Sequence, residues 1–194
     1  MNKVNNMYYN ISNVASVDTQ QYISELCEMI RIRVRKGYEP YIMTFMFKHL
    51  PSNDHAAKSV MNAEISRVFR RFRTEVHRNP KSAFHRRQPL ILLSCPDWPT
   101  LKSKKRQSLP SVQTSEIHSA GMLLIPPGNR LKCGIKEHFR IMAASYIRPN
   151  KPLARVHLKH VDTAPAYASD YTFKSVKSGR CSIDDLTIFL STQH

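Results

Sequence analysis

Acidic residues are scarce in this chain. Asp and Glu number 14 against 30 Lys and Arg, a formal charge of +16 with a pI near 10.0. Glycine is scarce too, five in 194 residues, and none sits in a Gly-rich phosphate loop or a dinucleotide fingerprint, which sets aside the common nucleotide-binding motifs. The four cysteines, Cys27, Cys95, Cys133 and Cys181, form no C-x-x-C pair, so their spacing argues against structural zinc and they read as reduced thiols. No apolar run reaches membrane-spanning length, no lipidation motif occurs, and Met1 to Ser16 lacks the basic-then-apolar layout of a signal peptide. No internal repeat is visible. These absences give the expectation of a soluble, cytoplasmic protein without a membrane partner.

Hydrophobic residues make up 41% of the chain, enough for a packed core and too many for a disordered protein. The length suits one domain, expected over 18–194, with an Asn-rich N-terminal arm at 1–17. The excess of cations calls for a polyanion. Nucleic acid is the leading class, because neutralising phosphates releases counterions and supplies affinity without sequence readout. An anionic membrane surface would instead favour a basic amphipathic helix.

Hydrophobic periodicity divides the chain into elements. From Asp18, an N-cap type, Tyr22, Ile23, Leu26, Ile30 and Val34 fall at helical spacing up to Gly37, although Ile30 to Arg35 also alternates as a strand would. Tyr41 to Phe47 predicts a buried strand. Ser52-Asn53-Asp54 predicts the cap of a long helix ending before Pro80, with Arg67, Arg70, Arg71 and Arg73 opposite its apolar side; these form either a solvated face or a phosphate-contacting one. Pro89 to Cys95 predicts a second strand, and 96–112 a long exposed loop carrying Lys102, Lys104, Lys105 and Arg106, either mobile or in contact with a polyanion. Residues 113–126 predict a third strand, 134–147 a helix, and Leu153 to Val161 a fourth strand with one polar face. Asp162-Thr163-Ala164-Pro165 opens a helix running to Gly179, and Leu186 to Leu190 is either a strand or a short helix. The fold class expected is α+β, a central antiparallel sheet of four to five strands with helices mainly on one face.

Two stretches carry chemistry. Glu116 and His118 point to one face of the third strand, about 7 Å apart, where both could reach a divalent cation if other groups assisted; a polar pair on an outer sheet face is the plainer reading. Tyr167, Tyr171 and Lys174 share one side of the late helix at i, i+4 and i+7. A tyrosine hydroxyl is a poor nucleophile at its ordinary pKa near 10, and a neighbouring lysine would help by stabilising charge on a phosphate under attack. Packed tyrosines beside a solvated lysine are the alternative.

Three segments in order resemble the HUH endonucleases, in particular rolling-circle replication initiators and related relaxase-like nicking proteins. Tyr41-Ile42-Met43-Thr44-Phe45-Met46-Phe47 is similar to that family's first apolar strand. His118-Ser119-Ala120-Gly121-Met122-Leu123-Leu124-Ile125-Pro126 is similar to its second motif, in which two histidines flank a variable residue ahead of a glycine and an apolar run. Asp170-Tyr171-Thr172-Phe173-Lys174 is similar to its third, a tyrosine followed three residues later by lysine. The resemblance implies an RRM-like palm, a bound Mg²⁺ or Mn²⁺, and attack of Tyr171 on single-stranded or hairpin DNA to give a 5′-phosphotyrosine and a free 3′-hydroxyl. It further implies His118 as metal ligand, Lys174 as an orienting cation, Tyr167 as a second tyrosine, and a separate host helicase. The family's second histidine falls on Ala120, so either Glu116 substitutes for it or a ligand has been lost. Two functions follow as expectations: a metal-dependent single-strand nickase and rejoining enzyme, or a degenerate relative that binds DNA without cleaving it. A basic RNA-binding protein is a third.

Overall fold

The computed structural model describes residues 12–48, 50–79, 82–97, 118–162 and 171–191. Helix α1 (Ser12–Arg35) leads into strand β1 (Glu39–Phe47), followed by α2 (Asp54–Val76), the short α3 (Ala83–Arg87), β2 (Ile91–Asp97), β3 (His118–Ile125), α4 (Ile135–Ile141), α5 (Ala143–Tyr146), β4 (Leu153–His160), α6 (Lys174–Lys177) and β5 (Thr187–Leu190). The five strands form one sheet in the order β4-β1-β3-β2-β5, with every pairing antiparallel. Reading β1-α2-β2-β3-α4-β4 along the chain gives the split βαβ arrangement, two crossovers that place β1 and β3 at the centre. The α+β class is therefore as expected.

Local chemistry sets the element ends. Helix α1 continues through the ambiguous Ile30 to Arg35 because Ile23, Leu26, Cys27 and Ile30 bury one side of it. It stops at Gly37, whose φ of 85° suits the left-handed position of a Schellman cap: Gly37 N–H donates to Val34 O and Tyr38 N–H to Arg33 O. In α2 the Asn53 side chain accepts from Ala56 N–H at 3.1 Å, an N-cap as the sequence predicts. Segment 186–190 resolves to a strand, β5, on the outer edge of β2.

The sheet has a core on each face. On one, Met43, Phe45 and Phe47 of β1, Leu92, and Leu123 and Ile125 of β3 pack against Met61, Ile65, Val68 and Phe72 of α2, with Phe139 and Tyr146. On the other, Ile91, Leu93 and Cys95 of β2 and Met122 and Leu124 of β3 pack against Ile23, Leu26 and Ile30 of α1, with Phe173 and Val176. Helices thus lie on both faces rather than mainly on one. The reason is in the strands: β2 is buried at every position and β3 at all but its first, and a strand apolar on both sides needs cover on both. Strand β4 alternates buried and exposed residues and takes cover on one side.

Candidate nucleic-acid interface

Strand register brings side chains into rows across the sheet, because residues directly opposite on neighbouring strands share a face. At one end, Arg155 of β4 is opposite Met46 of β1, Met46 opposite His118 of β3, and His118 opposite Asp97 of β2. The next row on that face reads His157, Thr44, Ala120 and Cys95, and the third Lys159, Ile42, Met122 and Leu93. Helix α1 covers the β2 side of these rows, whereas Arg155, His157 and Lys159 are exposed.

Asp97 is the hub of the first row. Its carboxylate, only 3% exposed, receives His118 Nε2 at 3.1 Å and Lys174 Nζ at 2.6 Å on Oδ2, and Arg180 at 3.3 Å on Oδ1. The Ser175 hydroxyl donates to Oδ1 at 2.6 Å. Burial pushes the carboxyl pKa up, but the hydrogen bonds from His118, Lys174 and Ser175 outweigh it and hold the group well below the usual carboxylate range. Lys174 in turn lies over the Tyr171 ring, Nζ 4.5 Å from its centroid, a cation–π contact. Strand β2 and the segment after α6 are joined again by the Cys181 thiol, which donates to Pro96 O at 3.1 Å.

Of the residues singled out in the sequence, His118, Lys174 and Tyr171 are thus brought to one place. Arg67, Arg70 and Arg71 are not: α2 packs on the opposite face of the sheet. There Arg67 is committed to Glu64 and to Tyr146 O, Arg70 donates to Ser66 O, and Arg71 pairs with Glu75. Glu116, Tyr167, Lys102, Lys104, Lys105 and Arg106 lie outside the described residues. Asp97, Ser175 and Arg180 were not singled out. Asp97 follows a proline where the strand was expected to have ended, yet β2 runs through Pro96 to Asp97. The signal for it was a lone acid closing an apolar strand in a chain poor in acids.

The site's charge decides what it can hold. Among the described residues, one carboxylate against Lys174 and Arg180 leaves a net charge of about +1 before His118 is counted. That balance attracts an anion and repels a cation. The position of the implied second metal ligand is Ala120, buried between Cys95 and Thr44. Among the described residues no three His, Cys, Asp or Glu side chains stand together as metal ligands, and both Asp97 oxygens already accept from cations. A resident Mg²⁺ or Mn²⁺ does not fit the described residues of this arrangement. Among the described residues no helix is long and apolar enough to cross a membrane. The chain matches no family model, no curated protein and no solved structure.

Proposed function

We propose that this protein binds single-stranded or hairpin DNA in the manner of an HUH replication initiator that no longer cleaves it. The observation that carries this reading is the Asp97 cluster, in which Lys174, Arg180 and His118 converge on a buried carboxylate. The net positive site suits a backbone phosphate, which accepts charge-assisted hydrogen bonds from Lys and Arg. Ala120, at the second ligand's position, takes away one ligand of the metal-assisted chemistry that the resemblance implies, while the charge of +16 remains suited to a polyanion.

A second reading, nicking and rejoining, is favoured by the position of Tyr171 beside Lys174. There the Tyr171 hydroxyl oxygen would bond to phosphorus as it loses its proton, the bond from phosphorus to the 3′-oxygen would break, and that oxygen would leave as a 3′-hydroxyl after gaining a proton. Labelled single-stranded and hairpin oligonucleotides, with EDTA and separately with Mn²⁺, distinguish the two. Binding is expected to be salt-sensitive, unchanged by EDTA and without a denaturation-resistant adduct. An adduct abolished by Tyr171→Phe would establish cleavage instead, and stronger binding to structured RNA at matched salt would displace both readings.

A further inference from the structure

Strand β4 forms the sheet edge beside β1, and its alternation sends Arg155, His157 and Lys159 to the face that also carries His118. All three are exposed, and none is paired with a carboxylate among the described residues. They recur at about 6.7 Å, two residues of an extended strand. Lys48, exposed at the end of β1 and tied to the start of β4 by its N–H to Pro152 O at 2.8 Å, prolongs the series past Arg155. Between this ladder and the Asp97 cluster, β1 presents Met46, 38% exposed, and the partly exposed Ile42 and Thr44. Arg155 is two strand spacings from His118, about 9.6 Å. A column of basic side chains beside an apolar strip, ending at a cationic pocket, is the combination that holds a single strand: basic groups follow the phosphates while bases lie on apolar or aromatic side chains. A duplex, by contrast, is read by a helix or ribbon entering its groove, and this face offers a broad sheet surface.

We infer that the exposed β4–β1 face is the track of the single strand, with Lys48, Arg155, His157 and Lys159 along its phosphates and Met46 and Ile42 under its bases. This rests on the DNA-binding reading and assigns residues to it that lie apart from the Asp97 cluster. The test is fluorescence anisotropy of a labelled oligo-dT over a salt series, comparing wild type with Arg155→Gln/Lys159→Gln and with Arg130→Gln/Lys132→Gln. The latter pair is exposed, in the loop after the far end of β3, and removes the same charge elsewhere. Each phosphate contact to a single strand contributes about 0.7 to the slope of log K against log salt, so the β4 variant should lose about 1.4 from that slope and bind at least about tenfold more weakly at low salt. The control should keep the wild-type slope. Equal losses in both variants, or a β4 variant that binds as wild type does, overturns the track. Duplex bound as tightly as oligo-dT, and equally sensitive to the β4 substitutions, overturns its single-strand character. Wild type that binds no DNA at all overturns the underlying reading instead.

Discussion

Asp97 holds together groups that are far apart in the chain. Lys174 approaches it from the start of α6, Arg180 from beyond that helix and His118 from β3, and all meet a carboxylate that water barely reaches. Such a group is stabilised by its partners only while it is ionised. Its folded pKa is depressed relative to an unfolded value near 3.9. The stabilisation is therefore complete above about pH 5 and is lost progressively as the pH falls below about 4. Asp97→Asn keeps the shape and removes the charge. Losing one partner of a buried pair costs about 3–5 kcal/mol when the other stays buried, but Lys174 and Arg180 are 37% and 27% exposed and can turn to water. We expect a loss of about 1–3 kcal/mol at pH 7 in urea denaturation. We also expect a shallower fall in stability below pH 4 than wild type shows; an acid limb of unchanged slope would mean that Asp97 is not the titrating group.

At the scale of elements, the centre of the sheet depends on Gly121. A Cβ built there would lie 2.8 Å from Leu93 O on β2 and 3.3 Å from Met43 O on β1, so the flanking backbones close on β3 at this point. Neither carbonyl can yield without disturbing its ladder. Gly121→Ala should destabilise by about 1–3 kcal/mol, as overpacking does in a tight core, read as a lower urea midpoint; an unchanged midpoint would show that the strands can part. The same strands explain what the sequence disclosed. Continuous apolar runs located β2 and β3, three-four spacing located α2, and alternation located β4, because each pattern reports local burial. The covering of both faces was missed because β2 and β3 carry it in the same residues that simply read as buried. The end of β2 was missed because Pro96 reads as a stop, although a proline is tolerated where a strand needs no donor. Asp97 and Arg180 meet only through the fold, at a separation that no spacing rule reaches, whereas His118, Tyr171 and Lys174 stood in short segments that could be compared with a known pattern.

For the whole molecule, the charge of +16 on 194 residues acts against folding and in favour of a polyanionic partner. Like charges spread over a compact surface repel one another, and unfolding relieves that repulsion. Salt bears on two opposed effects. It screens the long-range repulsion, since the Debye length falls from about 30 Å at 0.01 M to about 8 Å at 0.15 M, and it weakens surface pairs such as Arg35–Glu28 and Arg140–Glu137. Exposed pairs contribute little because water and salt screen them, and the Asp97 cluster is shielded from salt by its burial, so the relief of repulsion should win. The melting temperature of the free protein is expected to rise between 0.01 and 0.15 M salt. At low salt, oligo-dT at about 100 times its Kd should add about 2.7 kcal/mol of stability through binding to the folded state alone. This second shift should shrink as salt rises, because the affinity behind it falls through counterion release. The two responses to salt are thus opposite in sign, and differential scanning calorimetry with and without oligo-dT separates them. A melting temperature that falls with salt in the free protein would show that local ion pairs, and not the net charge, dominate its electrostatics.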